Sequence, residues 1–476
     1  MNKIYKIVWS AARGCYVVGS ELMKTHQGKK SLKASVLAAF AMAAAGSAVS
    51  YAAVTVSDQT HADTVVENKI STGTQYEVYN QQVKDGSALN KFSEFDISNG
   101  DVANLHLDAH GSVSAAERQI NVVSSEINID GVVNAIKDNK IGGDIYFFSD
   151  QGIAIGANGV FNVGRLTLGT NTEFATMLYN GGYNKESTEK DKDGKETTKT
   201  EWQTFDSSGF YSASLSDKAD KIRSSAVGSS DGDISIEGTI NAADSVLAVT
   251  GGDVTISAGT IIRTGSVFKD ISESTDYHAP LINTAEIKNA DTATADEDGI
   301  YLGAKSISVT GEEGNTQLLS QGRNITLSAL SSDSDSSMAD GATISITEAY
   351  LDSSADGNAS GNIKLTAEQK ATGVAKISVD GSTITAEGTD GKSGGDVTME
   401  ATATAAQHAW DLGVGATAKV ALGQDSSVST RNTIKGKNVE IKATATATGE
   451  VGEEKKSDTD KKSDTDKKND EEKTSK

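Results

Sequence analysis

From residue 231 onward one short pattern recurs, and it constrains the fold more than any other feature of the chain. A glycine or a small polar residue is followed by an apolar–polar–apolar triplet. Gly232-Asp233-Ile234-Ser235-Ile236, Gly252-Asp253-Val254-Thr255-Ile256 and Thr343-Ile344-Ser345-Ile346 are examples. The first apolar positions are 234, 254, 307, 325, 344, 363, 377, 397 and 439, and most neighbours lie near 19 residues apart. A fixed period of about 20 residues is the signature of a solenoid. Period-2 alternation within each unit makes it a strand with one buried face. One such strand cannot bury that face alone. Coils stacked about 4.8 Å apart pair every strand with the coil above and below, and parallel connections are right-handed by default. The expected fold is therefore all-β, a right-handed parallel β-helix, a solenoid. An antiparallel sandwich shares the short strands and glycine-rich turns, but the steady spacing disfavours it. The nonapeptide calcium-binding repeat of β-rolls is absent.

Composition agrees. Aromatic residues make up 5% of the 476 residues and proline occurs once, at Pro280. This suits a narrow core filled by small and β-branched side chains. The formal net charge of −22 disfavours a nucleic-acid partner, because phosphate binding needs clustered Lys and Arg, and none is expected. Cys15 is the single cysteine, so the mature chain cannot depend on disulfides.

The amino terminus reads as an export signal. His26, Lys29, Lys30 and Lys33 precede the apolar run Ala34–Ala45, and small residues follow. A basic segment, an apolar segment and a small-residue cleavage site define a secretory signal. The apolar run is shorter than the ~20 residues a bilayer span needs. Cleavage is expected after Ala52, with Ser50-Tyr51-Ala52 before the cut, or after Ala53. Ahead of this signal, residues 1–22 carry Met1-Asn2-Lys3-Ile4-Tyr5-Lys6, Trp9, Arg13-Gly14, Tyr16-Val17-Val18 and Ser20-Glu21-Leu22. This segment closely resembles the extended signal peptide region of large type V secreted proteins of diderm bacteria. The resemblance implies passage through the general secretion machinery, the periplasm and the outer membrane, to a secreted or cell-surface location.

Residues 58 to about 180 hold more aromatics and fewer repeats. Asn90-Lys91-Phe92-Ser93-Glu94-Phe95-Asp96-Ile97 leads into Asp101-Val102-Ala103-Asn104-Leu105, and a second stretch runs from Ile141 through Ile145, Phe147, Asp150-Gln151-Gly152-Ile153 and Ile155 to Gly164. These read as short strands between Gly and Asn turns. Phe92 and Phe95 are three apart, so a straight strand would send them to opposite faces; a bulge or corner between them is expected. Both stretches resemble the two-partner-secretion domain of filamentous-haemagglutinin-like exoproteins, with the leukotoxin-like filamentous adhesins as the nearest flavour. The resemblance implies a capped, β-helical amino-terminal secretion domain recognised by a partner outer-membrane transporter. By resemblance, the recognition residues are Asn90, Phe92, Phe95, Asn104, Leu105, Asp150, Gln151, Gly152 and Ile153. Asp150-Gln151-Gly152-Ile153 occupies the place of that family's Asn-Pro-Asn-Gly-Ile motif and keeps only Gly-Ile.

The expected organisation is an extended signal region (1–22), a signal peptide (23–52), a secretion-like domain (53–180), an insertion and irregular loop (181–230), β-helical repeats (231–448) and a disordered charged tail (449–476). Residues 184–201 form a charged, apolar-free stretch in which Glu189, Asp191, Asp193 and Gly194 echo a calcium loop. Position twelve is Thr200 rather than the bidentate Glu such a loop needs, so no metal is expected. The tail contains SDTDKK twice, and no membrane barrel of alternating strands is read in the sequence. His106 and His110 lie four apart without an H-E-x-x-H context, and the spacing is read as incidental. No catalytic residue and no cofactor are expected, and the chain is read as no enzyme. The functional expectation is an exported filamentous adhesin with an unidentified host receptor or glycan. The alternatives are a fragment of an autotransporter adhesin passenger, and a β-helical polysaccharide-degrading enzyme, which would use clustered carboxylates.

Overall fold

The computed structural model of the chain describes residues 5–10, 15–20, 53–58, 64–70, 72–190, 196–228, 231–268, 282–287, 298–312, 314–333, 341–355, 359–405, 416–423 and 431–447. The apolar signal run 34–45, Ala52 and the tail 449–476 lie outside these residues. The chain divides into two compact units, Met1–Tyr51 and Ala52–Lys476. In the first, strands Tyr5–Ser10 and Cys15–Ser20 pair antiparallel, from Tyr5 opposite Ser20 to Ser10 opposite Cys15.

The second unit is a parallel β-helix whose strands stack in three faces. On one, Ile234, Val254, Ile307, Ile344 and Ile377 follow one another from coil to coil. On the next, Ile300, Ile325, Ile363, Val397 and Val439 do the same. The third stacks Ile240, Ile262, Leu318, Leu351 and Ile384. All but Val439 join one continuous core. Every rung places apolar side chains over apolar side chains, so each added coil removes both its own inner face and the previous one from water. These parallel ladders replace the antiparallel sandwich as a possibility.

The repeat of about 19 residues differs from the coil length. Ile307 and Ile344 are neighbours on one face, yet Ile325, between them in sequence, lies on another. Likewise Asn362 bonds to Asn324, 38 residues away on the adjacent coil. Two of the three faces carry the same apolar–polar–apolar triplet, so sequence periodicity there counts faces. Ile234 and Val254 are true coil neighbours, because that coil is short: Asp253 bonds to Asp233, 20 residues away.

The amino-terminal end is capped. Ala53–Val56 and Gln82–Lys84 lie antiparallel on Ser87–Ile97, and Val65–Lys69 lies antiparallel on Thr74–Val78. These crossings occupy backbone groups that the first coil would otherwise expose as a pairing edge.

Within the segment expected as an insertion and irregular loop, 181–230, the described residues form regular elements. The segment follows the helix Thr172–Asn180, capped by Asn171 at its start and by left-handed Gly181 at its end. It contains an antiparallel hairpin of Gly182–Lys190 with Glu196–Thr204, then the helices Ser207–Tyr211 and Leu215–Arg223. The hairpin strands are almost wholly exposed, which is why they carry charge rather than apolar residues. Asp191, Asp193 and Gly194 lie outside the described residues. The helices bury Phe174, Leu178, Phe210, Leu215 and Ile222 in a second core against Leu89, Ile120, Tyr146, Phe148, Leu247 and Tyr301. Those last six point outward from the β-helix, so this part of the solenoid is apolar on both sides of one sheet.

Candidate recognition site in the amino-terminal coils

Phe92 and Phe95 reach the same core because the strand that holds them turns a corner. Ser87–Ile97 pairs with Arg118–Val123 through Phe92 and with Ile127–Ile129 from Phe95 onward. Its antiparallel register with Ala53–Val56 also slips here, Thr55 facing Glu94 and Val56 facing Phe92. With Ser93 and Glu94 at the corner, both rings turn inward. They meet edge to face at 5.3 Å between centroids, and Phe95 meets Phe147 at 5.0 Å and Phe147 meets Phe161 at 6.0 Å. Such pairs add about 0.5–1.5 kcal/mol each to the burial itself.

Two buried asparagine ladders run up the same coils. In the longer, Asn104 donates through Nδ2 to Glu77 Oε1 at 3.0 Å, Asn134 to Asn104 Oδ1 at 3.1 Å, Asn162 to Asn134 Oδ1 at 2.8 Å and Asn241 to Asn162 Oδ1 at 3.1 Å. In the shorter, Asn90 donates to Asn121 Oδ1 at 3.1 Å and accepts from the backbone N–H of Gln81 at 2.8 Å. An amide side chain has both donor and acceptor, so stacking identical ones satisfies each with its neighbour only when the coils are in register.

Of the residues named by resemblance, the structure gathers Phe92, Phe95, Leu105 and Ile153 into the main core, and buries Asn90 and Asn104 in separate ladders. Gly152 is also buried, with φ +109°, and a β-carbon there would stand 2.8 Å from the Asp233 carbonyl oxygen. Asp150 and Gln151 are exposed. Asp150 accepts from the Thr172 N–H at 2.7 Å and hydroxyl at 2.6 Å, tying this corner to the start of the helix Thr172–Asn180. In the folded domain Asp150 and Gln151 are open to a partner meeting it from outside, whereas Asn90, Phe92, Phe95, Asn104, Leu105, Gly152 and Ile153 are buried.

The His106–His110 spacing, read as incidental, has a structural counterpart. Tyr79 stacks on both rings, at 4.7 Å from His106 and 3.7 Å from His110. His106 Nε2 also pairs with Glu77 Oε2. Burial alone would raise the Glu77 pKa. The hydrogen bonds from His106, Gln75 and Asn104 outweigh it and hold the carboxyl below its ordinary value. Among the described residues no group of three or more His, Cys, Asp or Glu is placed to hold a metal ion.

Acidic groups crowd the corner beside Phe95. Burial pushes Asp96 up, against a hydrogen bond from Asn128, and burial together with Asp96 and Asp233 pushes Glu126 up. Ala53, the first residue of the capping strand, faces Asp96.

Residues 1–50 match the family described as the Extended Signal Peptide of Type V secretion system. No curated protein matches the chain. Among solved structures the chain is similar to the crystal structure of the HMW1 secretion domain from Haemophilus influenzae, at 14% identity and a TM-score of 0.28, covering 79% of this chain and 97% of that one. The leader directs the chain to type V export, and the product is a secreted or cell-surface protein.

Proposed function

We propose that the chain is a two-partner-secretion exoprotein whose amino-terminal coils engage an outer-membrane transporter, and that the emerged β-helix is a filamentous adhesin without catalytic activity. The observation that carries this reading is the capped first coil joined to its successors by asparagine ladders. A closed amino end and an open sequence of templates let folding start as soon as residues 53–180 emerge. Each finished coil then offers the backbone and amide partners for the next. Folding outside biases transport outward and needs no nucleotide. The residues buried in the folded coils, Asn90, Phe92, Phe95, Asn104 and Leu105, are exposed in the unfolded chain, so the transporter reads them before the coils form.

The test is export of a chain lacking residues 53–180 but retaining 1–52, in cells that express the transporter encoded beside it. The expected result is retention in the periplasm and loss from the medium and surface. Normal export of the deleted chain overturns the reading. Adherence of bacteria bearing the full chain, compared with bacteria lacking it, tests the adhesin role separately.

A further inference from the structure

The outward row of one sheet changes character at Tyr301. Before it, Leu89, Ile120, Tyr146 and Leu247 are covered by the helical insertion. After it the same row continues as Thr326 and Lys364. The helix Leu215–Arg223 ends where the change occurs. Ser216, Asp220 and Arg223 of that helix and three successive strands bound an open groove of about 420 Å³.

The groove is lined mainly by hydroxyl and amide groups, with Leu330 and the Tyr301 ring as its apolar parts. Five charged side chains line it. Arg223 bonds Asp220 at 3.1 Å, and Lys370 lies 3.7 Å from Glu368. Lys364 is exposed and has no ion pair among the described residues. Two polar atoms are buried with no hydrogen-bond partner, Thr366 Oγ1 and Arg223 Nε. Arg223 is otherwise fixed, donating to the Ser328 carbonyl at 3.3 Å and the Tyr301 hydroxyl at 3.2 Å. The wall is thus rigid, hydroxyl-rich and carries one uncommitted positive charge on a strongly acidic protein.

We propose that this groove binds a short acidic saccharide, with a sugar carboxylate on Lys364 and ring hydroxyls on Thr326 beside it. The inference rests on the adhesin reading and names the chemistry of its receptor. A saccharide fits because its many hydroxyls both donate and accept, as Ser, Thr and Asn do. The rungs, about 4.8 Å apart, match the length of one pyranose unit. A peptide fits less well. The strands under the groove are already paired on both sides, leaving no edge for strand addition, and the lining offers no deep apolar pocket for an anchor side chain.

The test is calorimetric titration of the mature chain with a hyaluronan tetrasaccharide, whose charges are carboxylates, and with the neutral chitin tetrasaccharide. The acidic probe is expected to bind about tenfold or more tightly than the neutral one. Lys364→Gln, at an exposed position, should remove most of that difference, and the near-isosteric Thr326→Val should weaken binding several-fold. Equal binding of the two probes, unchanged binding by Lys364→Gln, or no binding of either at millimolar concentration overturns the proposal. So does an acidic peptide that binds more tightly than the tetrasaccharide with the same dependence on Lys364. Adherence is scored in parallel. Adherence by a chain that binds neither probe overturns the groove and leaves the adhesin reading standing. Lys364-dependent binding by a chain that supports no adherence upholds the groove and overturns the adhesin reading.

Discussion

Asn162 donates through Nδ2 to Asn134 Oδ1 at 2.8 Å across 28 residues of sequence, and both side chains are fully buried. Asn134 in turn donates to Asn104. Replacing Asn134 with Ala leaves the Asn104 oxygen and one donor of Asn162 without partners. An unsatisfied buried polar group costs about 1–3 kcal/mol, so Asn134→Ala should lower stability by roughly 2–4 kcal/mol. Asn128→Ala, which removes an exposed bond to Asp96, should change it by less than about 1 kcal/mol. Urea unfolding of the mature chain compares them; equal losses would refute the role given to the ladder.

Phe147 stands between Phe95 and Phe161 in the core of the first coils. Truncation to Ala removes the ring from two edge-to-face contacts and opens a cavity in a narrow interior. The expected loss is about 3–5 kcal/mol. The first coils should then unfold at lower urea than the later ones, seen as separate transitions by hydrogen exchange. A single transition shifted as a whole would show that the solenoid melts as one unit.

The Glu77 carboxyl lies below its ordinary value of 4.5 because hydrogen bonds from His106, Gln75 and Asn104 outweigh burial. A carboxylate with a depressed native pKa contributes stability that is fully present above the unfolded value. That contribution disappears as pH falls through the native one. Wild type should therefore be more stable than Glu77→Gln at pH 7, and the two should converge as pH drops below about 4.5 toward the depressed value. Unfolding midpoints measured across that window check the sign; a gap that widens on acidification would be incompatible with it.

Glu126 behaves in the opposite sense. Its pKa is raised, by burial first and then by Asp96 and Asp233. A carboxylate with a raised native pKa destabilises the fold once pH passes its unfolded value. Glu126→Gln should therefore stabilise the protein at pH 7, by roughly a few tenths of a kcal/mol after solvent screening, and the gain should vanish in acid. Thermal melts at pH 7 and pH 4 give the comparison.

The solenoid was legible because Ile234, Val254 and Ile307 alternate with polar residues, and burial of one strand face writes itself into sequence with period 2. The coil length was not, because Ile307 and Ile325 share one local pattern on two different faces. The helices of the insertion are not legible for a related reason. Ile145, Tyr146, Phe147 and Phe148 are all buried, and an unbroken apolar run signals a sheet covered on both sides. Ile145 and Phe147 face the main core, and Tyr146 and Phe148 face the insertion. At the candidate site, resemblance alone picks out Asn90 and Asn104. Whether such residues face a partner or one another depends on which coil positions coincide, and that is set by loop lengths that carry no local signal.

Of the two expected cleavage positions, removal of the signal after Ala52 is the prediction. Cleavage after Ala52 places Ala52 and Ser50 at the two positions where small residues are required, whereas cleavage after Ala53 would put Tyr51 at the second of them. Ala53 is also the first residue of the capping strand and faces Asp96. A cut before Ala53 keeps that strand whole and puts a new α-ammonium beside the acidic corner of Asp96, Glu94 and Glu126. An opposite charge at that distance favours the ionised carboxylate, offsetting the burial that raises Asp96. The exported protein should therefore begin Ala53-Val54-Thr55 by mass spectrometry of its amino-terminal peptide. Acetylating that amine should lower the melting temperature at pH 7 and leave it unchanged in acid, where Asp96 is neutral. A mature chain beginning at Val54, or a melting temperature indifferent to acetylation at both pH values, would remove the ammonium from the cap.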